Sequence, residues 1–200
     1  MKKVFSTLLA ASLMLLGTQA FAQSSVNAGY LNSTLATENS SANANGAYAG
    51  FSFNIPVAGG LAIAPGVYYS MITGKTLDLG TIATGTLTEH AVNVPVYLNY
   101  GIDLARDTKF FVYGGPTLQY GLASKVKYTS GFSDSSLTSD NYKDSDYNRM
   151  NVYLGGGVGF EAGAMLVTVG YDYGMMNQYK GDNAAACHRS NLKIGVGFAF

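Results

Sequence analysis

The sequence has only one cysteine, Cys187, and few charged side chains. A single cysteine excludes an internal disulfide framework. Charged residues make up 12% of the 200 positions, and 12 Lys and Arg balance 12 Asp and Glu. This near-neutral balance predicts no nucleic-acid partner. After residue 22, no apolar run approaches the ~20 residues that a membrane helix needs, so membrane residence would have to come from strands.

The beginning of the chain has the features of a secretory signal. Lys2 and Lys3 supply the positive start, an apolar run follows, and Ala20 and Ala22 match the small-x-small cleavage rule. We therefore predict a signal peptide over residues 1–22 and one exported domain over residues 23–200. Because the apolar run is short and no cysteine follows the cleavage point, we expect neither a membrane-spanning helix nor a lipid anchor there.

Apolar residues alternate with polar or small residues through most of the remaining chain. Val92, Val94 and Val96, for example, alternate with Asn93 and Pro95. A period of two indicates β-strands with one apolar face. Eight such segments occur, and their connections alternate in length. Long connections are predicted at 36–46, 74–89, 123–148 and 175–189, and short turns at 56–60, 103–109 and 162–164.

The side of these strands opposite the apolar one is rich in glycine, which a soluble β-sandwich with a polar outer face does not require. Glycines in an enclosed wall make room for large side chains across a narrow lumen. The predicted lumen glycines are Gly50, Gly66, Gly155, Gly157, Gly159, Gly170, Gly195 and Gly197, and they accommodate Tyr48, Tyr68, Tyr97, Tyr113 and Tyr153. We also predict a lumen ion pair between Asp172 and Lys193, side by side in the last hairpin.

Aromatic rings on the apolar side cluster near the strand ends, as in the two interfacial girdles of a membrane barrel. The predicted fold class is all-β, an eight-stranded antiparallel up-and-down transmembrane β-barrel. Its interior should be closed or barely wet. One girdle consists of Phe53, Tyr100, Phe110, Phe160, Phe198 and Phe200, and the other of Tyr30, Tyr69, Tyr120, Tyr171 and Tyr173.

The last strand carries a polar-x-Gly-x-x-aromatic-x-aromatic pattern formed by Lys193, Gly195, Phe198 and Phe200. This pattern resembles the C-terminal signal by which bacterial outer-membrane β-barrels are recognised by the barrel assembly machinery. Because the sequence ends at Phe200, we expect no peptidoglycan-binding domain of the kind that follows the barrel in OmpA-like proteins.

Three segments, at residues 46–51, 94–100 and 111–116, resemble the outer-membrane β-barrel domain family common in Bacteroidota, small porin-like barrels related in shape to the OmpX and OmpA barrels. The resemblance implies a location in the bacterial outer membrane, in contact with outer-membrane lipid and lipopolysaccharide. It implies no particular activity.

One segment could carry chemistry. His188, Ser190 and Asn191 resemble the His-x-Ser-Asn motif of the outer-membrane lipid A deacylases, in which a His activates a Ser for attack on an acyl ester and an acid orients the His. No Asp or Glu occurs after Asp182, so the chain lacks the acid where the deacylases have it. The favoured interpretation is a polar loop end that re-enters a strand.

Metal binding is also weakly indicated. Cys187, His188 and His90 should all lie near the same rim, but they lack the close spacing of metal ligands. The segment that starts at Asp144 begins like a calcium loop, yet its sixth position is Arg149 rather than Gly and its twelfth is Gly155 rather than Glu. We therefore expect no catalytic, cofactor or metal site.

Three functions are consistent with this sequence. The first is a non-enzymatic outer-membrane barrel whose loops, above all residues 123–148, contact a host or cell-surface partner or support envelope integrity. The second is a pore for small solutes, which requires a continuous wet lumen. The third is a lipid A ester hydrolase that uses His188 and Ser190.

Overall fold

The computed structural model describes residues 23–37, 40–78, 83–130, 136–144, 147–178 and 187–200. The predicted signal peptide lies outside these residues. In the described part, no helix is long and apolar enough to cross a membrane. The strands are β1 (Gln23–Thr37), β2 (Ser40–Ala58), β3 (Leu61–Asp78), β4 (Ala83–Ala105), β5 (Thr108–Ser130), β6 (Ser136–Asp140), β7 (Met150–Ala162), β8 (Met165–Gly174) and β9 (His188–Ala199), and one helical turn, α1 (Asn141–Asp144), follows β6.

Eight of these strands form a closed antiparallel ring, which confirms the predicted architecture. Each ring strand pairs with its neighbour along the chain, and β9 pairs back onto β1. The seam continues to the end of the chain, where Ser24 and Phe200 exchange two backbone hydrogen bonds of 3.1 and 2.8 Å. The short strand β6 stands outside the ring and pairs with β5 beyond the point where β7 begins.

The two faces of the ring differ as the alternation predicts. Apolar side chains on the outer face are exposed, for example Leu98 at 54% and Val196 at 60%. A soluble domain would bury such residues, whereas a lipid-facing wall exposes them. The two predicted aromatic girdles lie on this same outer face, with Tyr30, Tyr69 and Tyr120 each 46% exposed.

The glycines of the inner face make room for large side chains, as predicted. A Cβ atom added to Gly195 would overlap the hydroxyl of Tyr48, and one added to Gly170 would overlap the hydroxyl of Tyr113. These tyrosines therefore lie along the inner wall and reach two strands away, Tyr48 from β2 to β9 and Tyr113 from β5 to β8. The wall can be this thin only where no side chain occupies it.

Short turns connect the strands at one end of the barrel, called here the turn end. The β2–β3 turn has left-handed backbone at Gly59 (φ 57°) and Gly60 (φ 82°), and the β4–β5 and β7–β8 turns have it at Asp107 (φ 63°) and Gly163 (φ 59°). Such positions are typical of tight hairpins. The opposite end carries the longer connections and is called the loop end. In bacterial outer-membrane barrels, short turns face the periplasm and longer loops face the outside.

The predicted loops at the loop end are too long. Residues 36–46 and 74–89 are mostly strand, because β1 and β2 pair from Thr37 and Ser40, and β3 and β4 pair from Asp78 and Thr84. The predicted loop 123–148 contains the end of β5, all of β6 and α1. These strand ends extend beyond the apolar belt, where the outer face meets water rather than lipid. The alternation of apolar and polar residues therefore stops in the sequence, although the strands continue to pair.

Candidate functional sites in the lumen and at the loop end

The middle of the lumen contains the predicted ion pair. Lys193 Nζ lies 2.5 Å from Asp172 Oδ2 and donates a 3.0 Å hydrogen bond to the hydroxyl of Tyr97. The predicted register was wrong by two residues, since Met165 lies opposite Phe198 rather than Phe200. A shift of two keeps every side chain on the same face. Asp172 and Lys193 therefore remain in the lumen but meet diagonally.

A cavity of about 390 Å³ occupies the lumen on the turn-end side. It reaches from the turn residues Gly59 and Gly60 to Gln119 and Asn191, and Lys193 and Asp172 line it. Beyond Gln119 lies the fully buried Tyr153, which donates a 3.0 Å hydrogen bond to the Gln119 side chain. Among the described residues, the interior is thus hollow toward the turn end and filled at the level of Tyr153.

The loop end of the lumen is closed by a second ion pair, which the sequence analysis missed. Arg189 Nη1 and Nη2 donate to Glu89 Oε1 and Oε2 at 2.5 and 3.0 Å, and Nη2 also donates to the Tyr147 hydroxyl at 2.6 Å. All three residues are buried, at 2%, 3% and 6% exposure. One feature of the sequence indicated this pair. Arg189 lies two and four positions before the lumen residues Asn191 and Lys193, so its side chain faces the same side of the strand.

Backbone hydrogen bonds connect the loop segments around this ion pair. Asn148 N donates to Gln178 O at 2.8 Å, and Gln178 N donates to Cys187 O at 3.0 Å. Cys187 N in turn donates to the side chain of Asn177 at 3.1 Å. We call residues 147–149, 175–178 and 187–189, together with Glu89, the cap. Cys187 is completely buried in the cap, and this burial raises the pKa of its thiol.

Beyond the cap, four strands continue as a sheet that we call the outer sheet. It consists of residues 73–78 of β3, 83–88 of β4, 124–130 of β5 and all of β6. In the described residues, β6 pairs with β5 alone, so its other edge is open. Ser124 and Val126 are buried on the inner face. Lys125 and Lys127 therefore lie on the outer face, where both are exposed.

Two rows of cross-strand neighbours define that outer face. Residues directly opposite each other in antiparallel strands share a face. In the two rows nearest the cap, lysine, threonine and one aspartate occupy this face. One row is Lys75, Thr86, Lys127 and Thr138, and the other is Thr73, Thr88, Lys125 and Asp140.

His188 and Ser190 do not form a recognisable catalytic arrangement. His188 Nδ1 donates a 3.0 Å hydrogen bond to the Gly174 carbonyl oxygen, and its ring stacks on Tyr173. In a catalytic triad this nitrogen donates to the orienting carboxylate. The carboxylate of Asp172, on the neighbouring strand β8, is paired with Lys193, and that of Glu89 is held by Arg189.

The metal candidates are also separated. His90 lies on β4 and His188 on β9, with three strands between them, while Cys187 points into the cap. His90 Nδ1 instead forms a 2.5 Å hydrogen bond with the Tyr69 hydroxyl. Across the described ranges, no group of three or more His, Cys, Asp or Glu could hold a metal ion. Positions 145 and 146 of the calcium-like segment fall outside the described residues.

The closed ring, the exposed apolar wall with its two aromatic girdles and the polar lumen define an integral β-barrel of the bacterial outer membrane. The family model of the outer membrane protein β-barrel domain matches residues 19–180. The chain belongs to that family, as its strand motifs indicate.

Two solved structures are similar in fold. Ail, the attachment invasion locus protein of Yersinia pestis, solved with the heparin analogue sucrose octasulfate, is 12% identical over 90% of this chain and 99% of Ail, with a TM-score of 0.55. Neisserial surface protein A is 16% identical over 88% of this chain and 97% of its own, with a TM-score of 0.52. No curated protein sequence matches this chain significantly.

Proposed function

We propose that the protein is a non-enzymatic outer-membrane barrel whose outer sheet binds anionic groups on saccharides at the cell surface. The observation that carries this proposal is the outer face of the sheet. Lys75 and Lys127 lie in one row and Lys125 in the next, among threonines that supply hydroxyl groups. Ammonium and hydroxyl donors at fixed spacing suit sulfate, phosphate or carboxylate oxygens.

The scaffold beneath this face is firm. β4 and β5 are each 23 residues long and run from the turn end into the outer sheet, with shifts in their register between His90 and Ala91 and between Asp103 and Ala105. The cap fixes the neighbouring segments through the buried Arg189–Glu89 pair. Binding residues on a rigid scaffold lose little conformational entropy when a ligand binds. The same chemistry fits lipopolysaccharide in the cell's own membrane or an acidic polysaccharide on another surface.

The experiment compares the purified barrel in lipid nanodiscs with a triple variant, Lys75→Gln, Lys125→Gln and Lys127→Gln. Heparin and purified lipopolysaccharide are the two probes, and they distinguish the two sources of the anionic groups. At about 0.5 kcal/mol for each exposed charge pair, the variant should bind its probe roughly tenfold more weakly. Binding by the unmodified barrel should also disappear in about 1 M salt, where charges are screened beyond about 3 Å.

The matched control is Lys109→Gln, which removes a lysine at the turn end. Both variants must keep the heat-dependent gel mobility of the folded barrel. Equal binding by the triple variant and the control would refute the proposal, and so would a failure of the unmodified barrel to bind either probe.

Two other functions are tested directly. A pore would require passage through the cap, and a planar-bilayer recording should show no conductance. A lipid A hydrolase would depend on Ser190, and Ser190→Ala should leave lipid A acylation unchanged. Export through residues 1–22 and assembly through the pattern from Lys193 to Phe200 stay predictions of the sequence.

A further inference from the structure

We propose that the lumen is a binding site for a small, uncharged, polyhydroxylated molecule of the size of a mono- or disaccharide. The cavity of about 390 Å³ is the observation from which this inference starts. Its volume lies within the range of small-molecule sites, about 300–1,000 Å³. The inference concerns the interior of the barrel and is independent of the function proposed for the outer sheet.

In the part of the chain that the structure describes, the cavity extends to the turn end. At the turn end its lining includes Gly59 and Gly60 of the β2–β3 turn, and Gly101 of β4, whose N–H donates to the Gly60 carbonyl oxygen at 2.9 Å. At the other end the lining stops at Gln119 and Asn191. Above them lie the buried Tyr153 and the cap. A ligand therefore enters and leaves on the side of the short turns, which is the periplasmic side in this class of barrel.

The charges in the cavity wall balance. Four charged side chains line it, Lys109, Glu161, Asp172 and Lys193. Lys193 is paired with Asp172 at 2.5 Å. Lys109 lies directly opposite Glu161 on the neighbouring strand. An ion that entered would lose its hydration without meeting an unbalanced opposite charge, so the wall favours a neutral ligand.

The remaining lining combines amides, hydroxyls and tyrosine rings with apolar side chains such as those of Leu31, Phe111 and Leu166. Amide groups both donate and accept, and so do the hydroxyl groups of a polyol, so the two match without any charge. Tyrosine rings present apolar faces to the C–H groups of such a ligand, and each ring also carries a hydroxyl. The residues that supply these groups are Asn54, Asn93, Asn99, Tyr48, Tyr68 and Tyr97.

The deep part of the cavity offers an ammonium group. Lys193 has three N–H donors, of which one contacts Asp172 and one the hydroxyl of Tyr97. Its side chain is 20% exposed in the cavity wall, whereas that of Asp172 is only 5% exposed. One further donor therefore remains for a ligand hydroxyl, and it orients the ligand against the tyrosines.

The test uses the intrinsic fluorescence of the folded barrel in nanodiscs. The chain has 15 Tyr and no Trp, so its fluorescence reports the tyrosines that line the lumen along with the others. Glucose and sucrose are the neutral probes, and gluconate and glucosamine are the charged ones. We expect a saturable change with at least one neutral probe and a weaker one with the charged probes.

Two variants assign the change to the lumen. Ala64→Phe places a ring in the cavity wall, where Ala64 is 8% exposed, and should abolish the response. Ile63→Phe adds a ring to the lipid face one residue earlier and should leave the response intact. A response that survives Ala64→Phe would overturn the proposal, as would the absence of saturable binding by both neutral sugars.

A second measurement applies if Ala64→Phe does not fold. Asn99→Cys, combined with Cys187→Ser, places a single thiol in the cavity wall. A bound neutral sugar should slow its alkylation by a small maleimide, and the slowing should saturate with sugar concentration. Alkylation at an unchanged rate would overturn the proposal.

Discussion

The buried ion pair in the cap gives the sharpest prediction about stability. Replacing Glu89 with Leu leaves the guanidinium of Arg189, which is 2% exposed, without its carboxylate. Both hydrogen bonds, of 2.5 and 3.0 Å, are lost. An uncompensated buried charge lowers the free energy of unfolding by about 3–5 kcal/mol. Arg189→Met should cost a similar amount, because it leaves the carboxylate of Glu89 buried without its guanidinium partner.

The double variant Glu89→Leu with Arg189→Met removes both charges and should be far more stable than the sum of the single changes. Its cost should be about 1–3 kcal/mol, because Tyr147 loses the donor to its hydroxyl oxygen. Urea unfolding in lipid vesicles, followed by tyrosine fluorescence, measures all three free energies. Arg106→Met, in an exposed turn, is the control and should change the free energy by less than about 0.5 kcal/mol. Single variants that cost no more than this control, or costs that simply add, would refute the reasoning.

Three further predictions concern the wall and the cap. Val94→Arg, on the lipid face, should cost about 2–4 kcal/mol in vesicle unfolding, whereas Thr88→Arg on the same face of the outer sheet should cost less than about 0.5 kcal/mol; equal costs would contradict the assigned depth. Gly170→Ala should destabilise the barrel by about 1–3 kcal/mol, because the added methyl group overlaps the Tyr113 hydroxyl. Adding Tyr113→Phe should recover part of this loss, and a double variant as unstable as Gly170→Ala would contradict that cause. Because burial raises the pKa of the Cys187 thiol, alkylation near neutral pH should be slow until the protein unfolds, and fast labelling of folded protein would contradict a closed cap.

The alternation of apolar and polar residues predicted the wall of the barrel well, because contact with lipid imposes this alternation on a membrane strand. Every second residue of a membrane strand must be apolar, so Val92, Val94 and Val96 identify both the strand and its outer face. The glycine positions were equally informative, since large tyrosines in a narrow lumen require neighbouring strands without side chains where the rings lie against them. The Asp172–Lys193 pair was predicted from parity together with a register, and the pair is present although that register was wrong by two residues.

The loop end could not be predicted because water, rather than lipid, surrounds it. β6 contains a single apolar residue, Leu137, and that side chain is 73% exposed, so no alternation marks the strand. Arg189 and Glu89 are 100 positions apart and each falls in a segment predicted as a loop. Their pairing depends on how far the strands continue beyond the lipid, and no local pattern encodes that distance.

The most direct test of the account labels single cysteines on intact cells, because it reports membrane location and orientation together. In a Cys187→Ser background, Leu137→Cys places a thiol in the outer sheet and Val57→Cys places one at the turn end, positions that are 73% and 61% exposed. A membrane-impermeant maleimide should label Leu137→Cys on intact cells, and Val57→Cys only after the outer membrane is permeabilised. Labelling of Val57→Cys alone, or of neither variant on intact cells, would contradict an outer-membrane barrel that presents its outer sheet at the cell surface.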